Sequence, residues 1–143
     1  MHFKRPESVL VVIYTSAGEV LMLERAQPSG FWQSVTGSLR EGESHIDAAR
    51  RELEEETGIK AEPVATGMTN TFPIIPEWRA RYAPEVSENH ETVFAVQLEQ
   101  VIEVCLNPDE HVQLLWLPRE QAAEKASSWT NRDAILSLVT ASR

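Results

Sequence analysis

Three glutamates, Glu52, Glu55 and Glu56, stand at i, i+3 and i+4. On a helix that spacing projects their carboxylates from one side. Three like charges packed together are unfavourable unless something positive sits among them. A hard divalent cation meets that need, because Mg²⁺ takes oxygen ligands, keeps several waters and bridges to phosphate oxygens. Arg51 lies four residues before Glu55 and can hold that carboxylate in place. Upstream, Gly37 and Gly42 bracket a loop, and glycine lets backbone come close to a ligand. Loop and helix together read as a device for holding metal against a diphosphate.

The helix itself is well marked. Ser44 can accept from a free backbone N–H near Asp47, and Asp47 puts a negative charge in the first turn. Strong helix formers then run to Thr57, and Gly58 suits the left-handed position that ends a helix. Ile46, Ala49 and Leu53 form an apolar stripe that would pack on a sheet. A helix whose acidity served only solubility would need neither the glycine loop nor Gly58 in this register.

Around that helix the chain alternates. Val9–Tyr14 and Val20–Glu24 read as strands joined by a turn at Ala17-Gly18, and Phe31–Thr36 as a short strand entering the loop. Ala61–Thr71 reads as extended, and Pro73, Pro76 and Pro84 mark an irregular stretch through about Asn89. Thr92–Leu98 and Val112–Leu117 read as two more strands. Asn131–Val139 is expected as a closing helix capped by Thr130. This order predicts an α/β fold, a mixed sheet between helices in an α/β/α sandwich. Residues 1–143 fit one domain.

Composition narrows the function classes. A net charge of −9 argues against nucleic-acid binding. The opening apolar run is too short for a membrane span and is not followed by a small-residue cleavage site, so a cytoplasmic protein is expected. The single cysteine, Cys105, forms no internal disulfide and reads as a small core hydrophobe. Trp32, Trp116 and Trp129 read as packing residues. His45, His90 and His111 lack metal-site spacing and read as surface residues.

Gly37, Glu43, Arg51-Glu52-Leu53, Glu55-Glu56 and Gly58-Ile59 fill nine fixed positions over residues 37–59. That pattern resembles the Nudix box. The resemblance implies an α/β/α sandwich and an enzyme that uses Mg²⁺, or Mn²⁺, to split a diphosphate bond. The segments KRPESVLVVIY, FWQSVTGS, RYAP and Ser128-Trp129-Thr130-Asn131-Arg132 also resemble one bacterial branch of that family. Its members release pyrophosphate from dihydroneopterin triphosphate, on the route to folate, or from dATP.

Position by position, the resemblance implies metal ligation by Glu52, Glu55, Glu56 and the downstream Glu110. It implies catalytic roles for Glu55 or Glu110 as base, with Arg51 beside them. It implies substrate contacts from Lys4, Arg25, Thr36, Ser128 and the run Phe72, Pro73, Ile74 and Ile75, where Pro73 departs from the branch. The cations Arg79 and Arg81 share one segment, and a group of cations converging on the metal helix would grip phosphates. The implied partner is a small-molecule triphosphate, with no nucleic acid, no membrane and a monomer as default. Two alternatives stand beside it. One is a hydrolase that clears ordinary or oxidised nucleoside triphosphates; the other is a nucleotide-binding module that does not cleave.

Overall fold

The computed structural model describes residues 3–140. Its centre is the continuous apolar run ESVLVVIYT, which forms strand β1 (Glu7–Thr15) and is buried on both faces. Side chains alternate along a strand. Val9, Val11 and Ile13 therefore face one layer of core, and Leu10 and Val12 face the other. β2 (Glu19–Arg25) splits the same way, with Leu21 and Leu23 on one side and Val20 and Met22 on the other. An unbroken hydrophobic strand is what a sheet covered on both faces requires.

The remaining strands are β3 (Trp32–Gln33), β4 (Val35–Ser38), β5 (Val64–Pro73), β6 (Glu88–Leu98) and β7 (His111–Pro118). β1 runs parallel to β6, from Glu7 opposite His90 to Thr15 opposite Leu98. The opposite edge of β1 is shared. Near the turn it meets β2, and its first half is antiparallel to β4. β2 thus diverges from β1 to pair with β3 and β7, while β5 closes the far side beside β6.

Helix α1 (His45–Thr57) covers one face through Ala48, Ala49 and Leu53, with Ile46 partly buried beside them. Ser44 caps it by accepting from the Asp47 amide at 3.3 Å, and Gly58 ends it at φ 74°. Leu53 is fully enclosed, so truncation to alanine there costs roughly 2–5 kcal/mol. Helices α2 (Arg119–Lys125) and α3 (Trp129–Leu138) cover the other face through Ala122, Ala123, Ala134 and Ile135. The α/β/α sandwich with a mixed sheet is as expected. Among the described residues, no helix is long and apolar enough to cross a membrane.

Several boundaries differ from the sequence reading. The expected strand Phe31–Thr36 is two, β3 and β4, because the Ser34 amide turns away to donate to Asn131 Oδ1 at 2.7 Å. β6 begins at Glu88 rather than Thr92, since buried Asn89 and Glu91 break the apolar alternation that marks a strand. The irregular stretch holds a 3₁₀ turn, Pro76–Arg81. Helix α2 was not expected, being only seven residues long. α3 starts two residues early, capped by Ser128, whose hydroxyl accepts from the Asn131 amide at 3.2 Å. Cys105 is exposed instead of lying in the core.

Candidate active site

The loop between β4 and α1 is tied to the helix by one guanidinium. Arg51 donates twice to Glu43, each at 2.8 Å, once to the Ser38 carbonyl at 3.1 Å, and also to Glu52. Its contact with Glu55 is longer, 3.4 Å. The expected hold on Glu55 is thus the weakest of these bonds, and Arg51 chiefly positions Glu43 and Glu52. Hydrogen bonding to Arg51 keeps the Glu43 carboxyl at about 2, against an ordinary 4.5. Gly37 has a separate task. A β-carbon there would overlap the Glu52 carboxylate, so the missing side chain is what lets Glu52 fold beneath β4.

Glu52 and Glu56 are 8% and 1% exposed, whereas Glu55 is open to solvent and pairs with Arg40 at 3.3 Å. Both carboxylate oxygens of Glu56 are buried with no hydrogen-bond partner. Burial, and then Glu52 and Glu110, push the Glu56 pKa up. Glu110 comes from the turn before β7. Its backbone carbonyl accepts from the Ala26 amide at 2.8 Å, across the bulge in the β2–β7 pairing at Glu24/Arg25. Burial, Glu52 and Glu55 raise its pKa as well.

His111 overturns its sequence reading. It is buried, with Nε2 3.7 Å from Glu56, and ligand atoms of Glu56, Glu110 and His111 all lie within 4.8 Å of one another. Burial and then Arg25 lower its pKa to about 4, so it is a neutral imidazole at pH 7. An orphaned carboxylate among further carboxylates and a neutral imidazole is a donor set that fits a divalent cation.

Across from these acids stand cations. Burial, then Arg81, lowers the pKa of both Lys4 and Arg25, and Arg25 adds to the effect on Lys4. Among the described residues, no carboxylate lies within ion-pair distance of Lys4, Arg25 or Arg81. Arg25 is aimed by its own bond to the Gln27 carbonyl at 2.7 Å and by Trp78, whose ring centre lies 5.4 Å from the guanidinium. Phe31 meets Trp78 edge-on at 6.0 Å.

Apart from Glu43, which sits behind Arg51, these groups share one cleft of about 900 Å³. Each residue expected in a catalytic, metal or substrate role lines it: Lys4, Arg25, Thr36, Arg51, Glu52, Glu55, Glu56, Phe72, Pro73, Ile74, Ile75, Glu110 and Ser128. Of the two cations in one segment, Arg81 lines it and Arg79 does not, its guanidinium donating to the Val86 carbonyl instead. Thr36 and Ser128 are also structural, Thr36 donating to the Val9 carbonyl at 2.9 Å and Ser128 capping α3. Trp129 is not packed away but 51% exposed along the cleft wall. The sequence reading missed Trp78, His111, Asn89 and Glu91 as cleft residues. Only Trp78 carried a signal, a large aromatic in a proline-punctuated stretch beside Arg79 and Arg81.

Comparison with known proteins agrees with this geometry. The chain is 42% identical over 139 residues to a dihydroneopterin triphosphate diphosphatase of Escherichia coli, covering 93% of this chain and 91% of that one. A protein of the same description from Haemophilus influenzae is 36% identical, covering 94% and 88%. The fold superposes on the structure of the E. coli dihydroneopterin triphosphate pyrophosphohydrolase with a TM-score of 0.90 and 40% identity, covering 97% of this chain and 98% of that one. The NUDIX domain matches residues 4–138, and the chain belongs to the Nudix family.

Proposed function

We propose that this protein hydrolyses dihydroneopterin triphosphate to the monophosphate and pyrophosphate, and accepts dATP and related triphosphates more weakly. The observation that carries the chemistry is the cleft's division into an acidic cluster around the orphaned Glu56 carboxylate and a facing set of cations without ion-pair partners among the described residues. The relatives' shared description supports the pterin as substrate. We read residues 1–143 as one catalytic domain, cytoplasmic and by default monomeric.

Glu52, Glu56 and Glu110, with Glu55 at the open side, would hold Mg²⁺ or Mn²⁺. The cation would neutralise phosphate charge and acidify a bound water. The protein's own groups do the rest. Arg25, Lys4 and Arg81 bind the phosphate oxygens and fix the chain of phosphates along the cleft. Glu110 takes the proton of the attacking water. Its pKa is raised toward the working range of a base, and it hangs on a short turn facing the acids. Glu55, exposed and paired with Arg40, is the weaker candidate for that role. Arg51 acts through the loop it braces, not by touching the phosphates.

The test is pyrophosphate release from dihydroneopterin triphosphate and from dATP, with Mg²⁺, for wild type and Glu56→Gln. Faster release from the pterin that collapses in the variant supports the reading. Release from dATP alone would leave a nucleotide hydrolase and sink the pterin assignment. Tight binding with no turnover would leave a binding module.

A further inference from the structure

Two cations stand side by side in the chain just ahead of β1, and only one of them enters the cleft. Lys4 lines it. Arg5 does not, and its guanidinium is given instead to the glycine loop. Nη1 donates to the Arg40 carbonyl at 2.7 Å and to the Glu43 carbonyl at 3.1 Å. Nε and Nη2 both donate to Glu7 Oε1, at 3.2 and 2.7 Å. Glu7 thus aims the fork, and its own carbonyl accepts from the Leu39 amide at 2.9 Å, where the loop leaves β4.

The two carbonyls are the ends of one turn. The Glu43 amide donates to the Arg40 carbonyl at 3.0 Å, and the Arg40 amide donates back to the Glu43 carboxylate at 2.9 Å. That carboxylate also takes two bonds from Arg51, which in turn donates to Glu52. Glu43 is therefore a joint between two arginines, its carboxylate held from α1 and its carbonyl held from the start of β1. Arg40, Glu41 and Gly42 are exposed, so the turn buries no apolar side chain that could fix it by packing. Its hydrogen bonds must hold it in place.

We infer that Arg5 is a positioning residue for the metal site: by clamping the Arg40–Glu43 turn it fixes Glu43, through Glu43 it fixes Arg51 and the Glu52 carboxylate, and so it sets the affinity for the divalent cation. A planar guanidinium reaches two carbonyls and a carboxylate at once, whereas a lysine ammonium carries the charge without that fork. Lys4 does not depend on this clamp. Its amide donates to the Arg81 carbonyl at 2.8 Å, and the Pro6 carbonyl accepts from the His90 amide at 2.9 Å, so the backbone on either side of Arg5 is tied independently. Losing the Arg5 side chain should loosen the metal and leave the phosphate grip in place. The inference deepens the hydrolase reading and rests on it for Glu52 as a metal ligand.

The experiment is Mn²⁺ binding to the substrate-free protein, read from the paramagnetic resonance of the free ion, in wild type, Arg5→Gln, Arg5→Lys and Glu7→Gln. Beside it run kcat and KM for dihydroneopterin triphosphate across a range of Mn²⁺ concentrations. Arg5→Gln should weaken Mn²⁺ binding about 10–100-fold, the range for losing a group that orients a ligand. At saturating Mn²⁺ its kcat and KM should return to within about 3-fold of wild type. Arg5→Lys should lose most of the same affinity, because charge without the fork does not clamp the turn. Glu7→Gln should lose less, and nothing further once Arg5 is already Gln. These last two variants carry the test if Arg5→Gln fails to fold. Unchanged Mn²⁺ affinity, even with lowered thermal stability, would overturn the inference, and so would full affinity in Arg5→Lys. A kcat loss that saturating Mn²⁺ does not restore would overturn it too. If Arg5→Gln weakens Mn²⁺ binding but wild type hydrolyses no triphosphate, the positioning role stands while the hydrolase reading fails.

Discussion

The cleft's acidic end and its sheet end solve opposite problems. At the acidic end, charges are packed so that each fixes another, Glu43 and Glu52 on Arg51 and Glu52 under Gly37, except Glu56, whose oxygens have no hydrogen-bond partner. At the sheet end the polar groups, Ser8, Asn89, Asn70 and Glu91, are held by strand register and by two hydrogen bonds, Asn89 to Ser8 and Asn70 to Glu91, with no ion pair among them. Under the proposed function the acidic end serves the phosphates that every triphosphate shares. Damage to that end should lower turnover of every triphosphate alike and leave their ratio where it was.

The severest test of that division is Glu56→Gln. Removing the orphaned carboxylate is expected to cut kcat about 10³-fold on every triphosphate, leaving the substrate ratio where it was. The same substitution should leave the metal-free protein as stable as wild type or more so, because a buried acid without a partner is relieved. Thermal unfolding with and without Mg²⁺ reads both. Wild type should gain stability from the metal and the variant should not. A ratio that shifts in Glu56→Gln would break the division.

A second test loads the brace. The unfolded Glu43 carboxyl protonates near its ordinary 4.5, and the folded one only near 2. A depressed pKa gives stability that is fully present above the unfolded value and drains away as pH falls from about 4.5 toward 2. The Arg51 and Glu43 side chains are 16% and 14% exposed at a loop surface, so part of the pairing is screened and the loss is on the order of 2 kcal/mol. Urea unfolding between pH 6 and pH 2.5 should show wild type converging on Glu43→Gln as acid is added. Parallel curves would mean the brace contributes nothing.

How legible each end was in the sequence follows from the same contrast. Gly37, Glu43, Arg51, Glu52 and Glu56 lie within one loop and one helix, so chain spacing alone puts them in register. The caps Ser44 and Gly58 were legible for the same reason. Glu110 and His111 reach Glu56 only through the β2–β7 pairing, and no spacing along the chain announces it. Asn89 and Glu91 were hidden twice. Asn89 bonds Ser8 across 81 residues of chain and Glu91 pairs with Ser8 in the parallel register, and being polar they erased the alternation that would have marked their strand. A site residue that breaks a local pattern is where a pattern-based reading stops early.

A third prediction separates Glu52's position from its charge. Gly37→Ala leaves every carboxylate in place chemically but drives the Glu52 side chain out from under β4. Metal affinity should fall roughly 10–100-fold, the range for losing a group that orients a ligand. Saturating Mn²⁺ should restore most of kcat, which Glu56→Gln would not allow. Titration by calorimetry and metal-dependence of kcat give the two readouts. An unchanged affinity would mean that Glu52 reaches the cation from a displaced position.

The smallest effect expected lies where the two ends meet. Trp78 places its ring over Arg25, a contact worth about 0.5–1 kcal/mol at a partly exposed site. Trp78→Leu should therefore raise KM about 2–5-fold for pterin and purine triphosphates alike, with kcat unchanged, because the ring aims a phosphate-gripping cation. In an Arg25→Gln background the same substitution should cost nothing further, since its effect runs through the missing guanidinium. If Trp78→Leu instead penalises the pterin alone, the ring touches the heterocycle.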